Sequence, residues 1–250
     1  MDTSAHRIQQ ALETVARLRL ERAREPALAA ANSAIKRFQA RRFRATYADL
    51  LSDRRHGPAA QFFLDELYGD RDFAQRDAQF ARIASAMARL FPQSVVDTAM
   101  KLAQVHALTE QLDDLMARKW LEKPPPRDVP AEIDSYVHAW RAVAERRARE
   151  EQLAVVLDLG RSLDGLTRAP GLRTLLRMMR RPADAAGLGS LQTFLEGGFD
   201  AFSSMRGAAP FLAQVEAREA RLLTLLFEAS PEAATDELRQ LLHPGHQPAH

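Results

Sequence analysis

The chain contains no cysteine. That excludes a disulfide framework, thiol catalysis and any cysteine-ligated zinc or iron–sulfur site, and it fits a cytoplasmic protein. Aromatic residues make up only 7% of the chain, and they fall at core-like spacings rather than between basic residues, so no base-stacking surface is indicated. No apolar run approaches the roughly 20 residues of a membrane-spanning helix, and the opening MDTSAHRIQQALETVARLRLERAREP has no uninterrupted apolar centre of a signal peptide. Secretion and membrane insertion are therefore not expected. The formal net charge of +2 is too small to imply nucleic acid, although residues 1–60 hold twelve Arg or Lys against six Asp or Glu. Alternating strand patterns and fixed-period repeats are also missing, as is any recognised nucleotide, metal or nucleophile motif.

What is present is helical periodicity. At 250 residues the chain can bury a sizeable core. Ile8, Leu12, Val15 and Leu18 place one amphipathic helix over residues 5–24, and Pro26 separates it from a second that reaches about Leu51. Lys36, Arg37, Arg41 and Arg44 in the second read as a solvated face. Pro92 opens a helix carrying Val95, Ala99, Leu102, Val105, Leu108, Leu112 and Leu115 towards Trp120. KPPPRDVP at 123–130 forbids helix and marks an extended connector. One long helical pattern runs from Ala131 past Leu157 and is broken at Gly160 and Gly165. LRTLLRMMRR then forms a short basic helix ended by Pro182, Ser190 caps the next helix, and Pro210 starts the last strong one. A short helix is expected after Ser230, and HPGHQPAH, with His243, His246 and His250, should fray.

The stretch Phe62 to Phe91 reads as the corner around which the rest packs. Pro58 sits at a helix start, and Tyr68-Gly69 ends that helix. Asp72 with Gln75 has the form of a capping box for the next. Phe73, Asp77, Phe80, Ile83, Ala84, Met87 and Phe91 then make one apolar stripe with a single acid in it.

Asp77 and Glu219 both interrupt apolar stripes, and each follows an arginine, Arg76 or Arg218. Such a carboxylate must be paired, protonated or exposed after all: the structural reading gives the two acids arginine partners, the functional one makes them acid/base or ligand-orienting groups, and exposure is the third. Gly198, on the face of Phe194 and Phe202, implies a close approach by another helix or a ligand. Arg173, Arg177, Arg180 and Arg181 beside Leu172, Leu175, Leu176 and Met179 suggest a helix docked on the core with a solvated basic rim; an anionic ligand or a lipid surface are the alternatives. His106, Glu110 and Asp113 share a helix face but lack the spacings of known metal motifs, so no metal site is expected. His138 reads as a local pair with Asp134, and GLGS at 187–190 is a weak phosphate-loop pattern.

FFLDELYGDRDFAQRD, GLRTLLRMMRRPADAAGLGSLQTFLEGGFDAF and FLAQVEARE together resemble an uncharacterised family of bacterial all-helical proteins, over about residues 8–228. The resemblance implies the fold and a bacterial cytoplasmic origin and transfers no catalytic residue and no cofactor. The fold expected is an all-α bundle of about eight helices over 1–250. It is subdivided, if at all, into 1–122 and 130–229 at the connector, with 230–250 as a tail. Two functions remain open. One is a non-enzymatic protein that binds a small ligand or a protein partner. The other is an enzyme or cofactor binder whose internal pocket takes Phe194, Gly198, Phe202, Asp77 and Glu219.

Overall fold

The structure, a computed structural model, describes residues 3–67 and 72–242. The expected stop at Tyr68-Gly69 and the tail histidines lie outside them. The described residues are all-α, with thirteen helices and no strand. In order these are α1 (Thr3–Arg24), α2 (Pro26–Thr46), α3 (Ala48–Ser52), α4 (Gly57–Leu67), α5 (Ala74–Leu90), α6 (Gln93–Trp120) and α7 (Val129–Val143). There follow α8 (Arg146–Thr167), α9 (Leu172–Met178), α10 (Arg180–Ala185), α11 (Gly189–Ser204), α12 (Ala209–Glu228) and α13 (Pro231–Leu242).

The count exceeds eight because several breaks carry neither proline nor glycine. Tyr47 separates α2 from α3. Ala144, in the left-handed region at φ 54°, ends α7 and splits the long pattern after Ala131. Conversely, Gly160 and Gly165 do not break α8, which runs through both. Gly160 is there for packing: a Cβ at that position would lie 2.5 Å from Leu212 Cδ2 of α12. Pro182 sits in the first turn of α10 rather than after a single basic helix, where its missing N–H costs nothing. Ser190 is the second residue of α11 and donates to Gln75 Oε1 instead of capping. Asp72 Oδ1 does accept the Ala74 N–H at 2.8 Å, but Gln75 is turned to Ser190, so no capping box closes.

The hub is α6, not the 62–91 corner. Its 28 residues span about 42 Å, and α1, α2, α5, α7 and α8 all pack on it. Three apolar clusters surround it. One joins α2, the C-terminal part of α6, α7, α12 and α13, with Phe38 stacked on Tyr136 at 4.1 Å between centroids. A second joins α2, α3, α4, α8, α11 and α12 around Phe43, Phe63, Phe202 and Phe211. The third joins α1, α5, the first half of α6 and α11 around Ile8, Phe80, Met87 and Leu191. Each cluster draws on helices from both sides of the 123–130 connector.

Candidate ligand cavity and the buried ion network

Because α6 is surrounded, its polar residues are buried along with its apolar ones. Glu110, Asp113 and Asp114 all lie in the interior, and burying carboxylates without partners costs several kcal/mol each, roughly. For Glu110 and Asp113 the partners come from distant helices, and for Asp114 from the next turn of α6. Glu110 accepts from Arg22 of α1 and from Lys36 of α2, both at 2.5 Å. Asp113 accepts from Gln39 at 3.0 Å, and Asp114 from Arg118 at 2.9 Å. With His106 bonded to Asp77, the three residues His106, Glu110 and Asp113 are turned to different partners. Among the described residues, no group of acids and histidines is arranged to hold a metal ion. Nor does His138 have the expected local pair, for Asp134 is taken by Lys123 at 2.7 Å.

Asp77 is 5% exposed. Its carboxylate meets Arg19 at 2.9 Å, His106 Nε2 at 3.0 Å and Arg76 at 3.3 Å. Arg76 is the weak member because its best bond goes to Glu66, at 2.7 Å. Glu219 is half-buried and held by Arg42 at 2.5 Å and Tyr47 at 2.8 Å. The neighbouring Arg218 turns away to Asp49 and the Thr46 carbonyl. Each acid thus has an arginine partner from another helix, Arg19 or Arg42; adjacent residues on a helix point in directions about 100° apart, so the arginine next in sequence contributes weakly at Asp77 and not at Glu219.

Burial pushes the Asp77 carboxyl up, but the hydrogen bond and charge of His106, with Arg19 and Arg76, win and hold it at about 2. Glu110 follows the same balance: burial raises it, and Lys36 and Arg22 bring it to about 2. For Asp113 burial prevails and its carboxyl is raised. In the folded state Asp77 and Glu110 bind protons more weakly than when unfolded, so their stabilisation is complete above the ordinary carboxylate range and is lost as pH falls from about 4.5 to about 2. Asp113 has the opposite sign. Each depressed acid is worth roughly 2 to 3 kcal/mol. Denaturant unfolding at neutral pH and near pH 3 should show a marked loss in acid, and Asp77→Asn should reduce it. An unchanged loss in that variant would mean Asp77 is not paired in solution.

A cavity of about 320 Å³, larger than those beside Asp77 and Glu219, lies elsewhere among α4, α5, α6, α8, α9, α10 and α11. Phe62, Ile83, Leu102, Leu163, Leu176 and Phe199 are representative of its walls, and no ionisable side chain lines it. Its polar lining residues are Thr98, Thr167 and Gln192, and their donors are already spent on Ser94 O, Asp164 O, and Leu176 O with Glu196. One side is closed by the tight seam between α4 and α11: a Cβ on Gly198 would stand 3.0 Å from Phe62 Cζ. Another side is roofed by α9, which lines the cavity and whose seven residues include none that is buried.

Of the residues singled out in the sequence, Phe194, Gly198 and Phe202 line this cavity together. Asp77 lies behind the shared wall residues Phe80 and Phe194, in a crevice of about 20 Å³ with His106 and Arg76. Glu219 borders a separate cavity of about 80 Å³, mostly apolar but with Arg42, Tyr136 and Arg149 in its lining. The two acids do not share a pocket. Arg173, Arg177, Arg180 and Arg181 are exposed as expected, but Leu175 and Met179 are 39% and 37% exposed rather than buried, because so short a helix cannot turn a whole face inward. Sequence reading missed Leu159, Leu163 and Leu166 of α8 as cavity walls; their three- and four-residue spacing was the available signal.

Residues 18–233 match the profile of a family described as a domain of unknown function, DUF8198. This agrees with the resemblance to an uncharacterised helical family. No curated protein and no solved structure matches the chain. No helix among the described residues is long and apolar enough to cross a membrane.

Proposed function

The chain belongs to the DUF8198 family, which brings no activity with it, and we propose from the geometry that it is a non-enzymatic binding protein for an apolar small molecule held in the α4–α11 cavity. The observation that carries this is a volume of about 320 Å³ without one ionisable lining residue, within the range of small-molecule sites. Such walls offer burial and dispersion and no general acid, base or nucleophile. What supports binding over catalysis is that Asp77 and Glu219 sit in separate pockets, each engaged by cationic or hydroxyl partners. We read the chain as one domain, since each core cluster takes helices from both sides of the connector, and place it in the bacterial cytoplasm on the family resemblance.

The test uses N-phenyl-1-naphthylamine, a neutral apolar fluorophore that brightens on leaving water. Wild type should bind it saturably, and Leu163→Trp, which fills the cavity from the α8 wall, should bind it at least about tenfold more weakly, in line with the loss of a filled apolar site. Far-ultraviolet circular dichroism should be unchanged. Absence of binding by wild type, or equal binding by both proteins, would refute the reading.

A further inference from the structure

We propose that the segment from Gly171 to Gly187 is a docking element for an anionic bilayer surface, with Met178 as its inserting side chain and Arg177 and Arg181 as its phosphate contacts. Eight large apolar side chains stay exposed among the described residues; Leu175, Met178 and Met179 are three of them, at 39%, 67% and 37%, and Leu195 across on α11 is a fourth. Half of these exposed residues therefore gather on one short stretch and the helix beside it. Leu175 and Met179 also line the cavity, so the roof is apolar on its inner and outer sides alike. Surface of this kind in water calls for a cover.

Charge says what the cover is. Between Leu172 and Ala185 there are four arginines and one acid, Asp184. Arg173 is matched by Asp200 and Arg180 by Glu196, while Arg177 and Arg181 are exposed and make no close ion pair among the described residues, Arg177 acting on Glu196 only through its charge. Guanidinium groups left over beside an exposed methionine suit lipid phosphates, which they bind bidentately while the thioether sits at the acyl boundary. A protein partner is the poorer fit, because an interface of standard size needs roughly 800 Å² per side and a seven-residue helix presents only a few side chains.

The segment is also built to adjust. Gly171 and Gly187, at φ 79° and 67°, bracket it in a conformation that costs glycine little. Among the bonds that fasten it are Gln192 to Leu176 O, Arg82 to the Ala186 and Gly187 carbonyls, and the two ion pairs to α11. Of its residues only Ala183 is buried. Docking on the outer side does not require the cavity to be occupied, so this proposal and the ligand-binding reading fail separately.

Co-sedimentation of the full chain with two kinds of vesicle tests it: phosphatidylcholine alone, and phosphatidylcholine mixed with phosphatidylglycerol. Wild type should pellet with the mixed vesicles, less so as salt is raised, and stay in the supernatant when only neutral vesicles are present. Arg177→Gln with Arg181→Gln should weaken binding by roughly tenfold or more, given the contribution of each basic residue near an anionic leaflet, and Met178→Asp should also weaken it. Leu163→Trp should bind as wild type does. Arg127→Gln with Arg147→Gln removes the same net charge at other exposed positions and should have little effect. Any one of the following overturns the proposal: no binding to mixed vesicles, equal binding to neutral ones, or an equal loss in the control pair. So does a vesicle-free self-association that Met178→Asp abolishes, which would make this face a contact between copies.

Discussion

Glu110→Gln should lower the thermal midpoint by roughly 10 °C, since breaking a buried ion pair costs about 3 to 5 kcal/mol and a chain of this length loses about 2 to 4 °C per kcal/mol. The cost is high because one carboxylate serves two cations, Arg22 and Lys36, each 2.5 Å away and neither well exposed to water. The amide keeps the shape and leaves both charges behind. Replacing all three together by apolar residues of similar size, Arg22→Met, Lys36→Met and Glu110→Leu, should recover most of the loss, because the desolvation penalty disappears with the charges. A circular dichroism melt decides it. If Glu110→Gln melts within about 2 °C of wild type, a change worth under 1 kcal/mol, the network is hydrated and contributes little.

Phe202→Ala is the second large effect expected, at about 3 to 5 kcal/mol. Phe202 is 1% exposed, its ring centroid lies 5.9 Å from that of Phe63, and it forms part of both the second core cluster and the cavity wall. Truncation removes apolar contact and joins new empty volume to a space already unfilled, so little relaxation can offset it. Leu175→Ala on the roof should cost under about 1 kcal/mol, because the side chain is already partly in water. Urea unfolding of both variants measures the contrast. Comparable losses would show that roof and wall are equally packed, contrary to the exposure of α9.

Much of the architecture was visible in single residues. Pro26 and Pro92 mark helix starts, and the 123–130 run marks a break, although Val129 and Pro130 already belong to α7, where a proline in the first turn costs nothing; Asp77 could be singled out because it falls four after Phe73 and three before Phe80. The interior acids of α6 were not visible. Leu108, Leu112 and Leu115 suggest one apolar face with polar residues outside, yet Leu115 is 42% exposed while Glu110, Asp113 and Asp114 are buried. Periodicity gives direction on a helix and says nothing of what faces it. Here the facing groups are Arg22 and Lys36, 88 and 74 residues away in sequence, and Lys36 read as part of a solvated strip. The cavity was half legible. Gly198 signalled a close approach and shares its face with Phe194 and Phe202, but the α8 leucines looked like ordinary core and the roof leucines looked buried. Ala144 gave no sign at all that it would take the left-handed conformation and end a helix.

The pairing of Arg42 with Glu219 bears on the order in which the chain is assembled. The two residues are separated by 177 positions, whereas Arg22 and Lys36 meet Glu110 as soon as α6 exists. At a synthesis rate of about 5 to 20 residues per second, Glu219 leaves the ribosome about 10 to 35 s after Arg42. The three helices that pack on α6 from its N-terminal side, α1, α2 and α5, can settle during that interval, while the face of α2 that will take α13 and the Glu219 carboxylate stays open. The last third of the chain therefore does not fold beside a finished neighbour; it arrives as the missing wall of a body already half built.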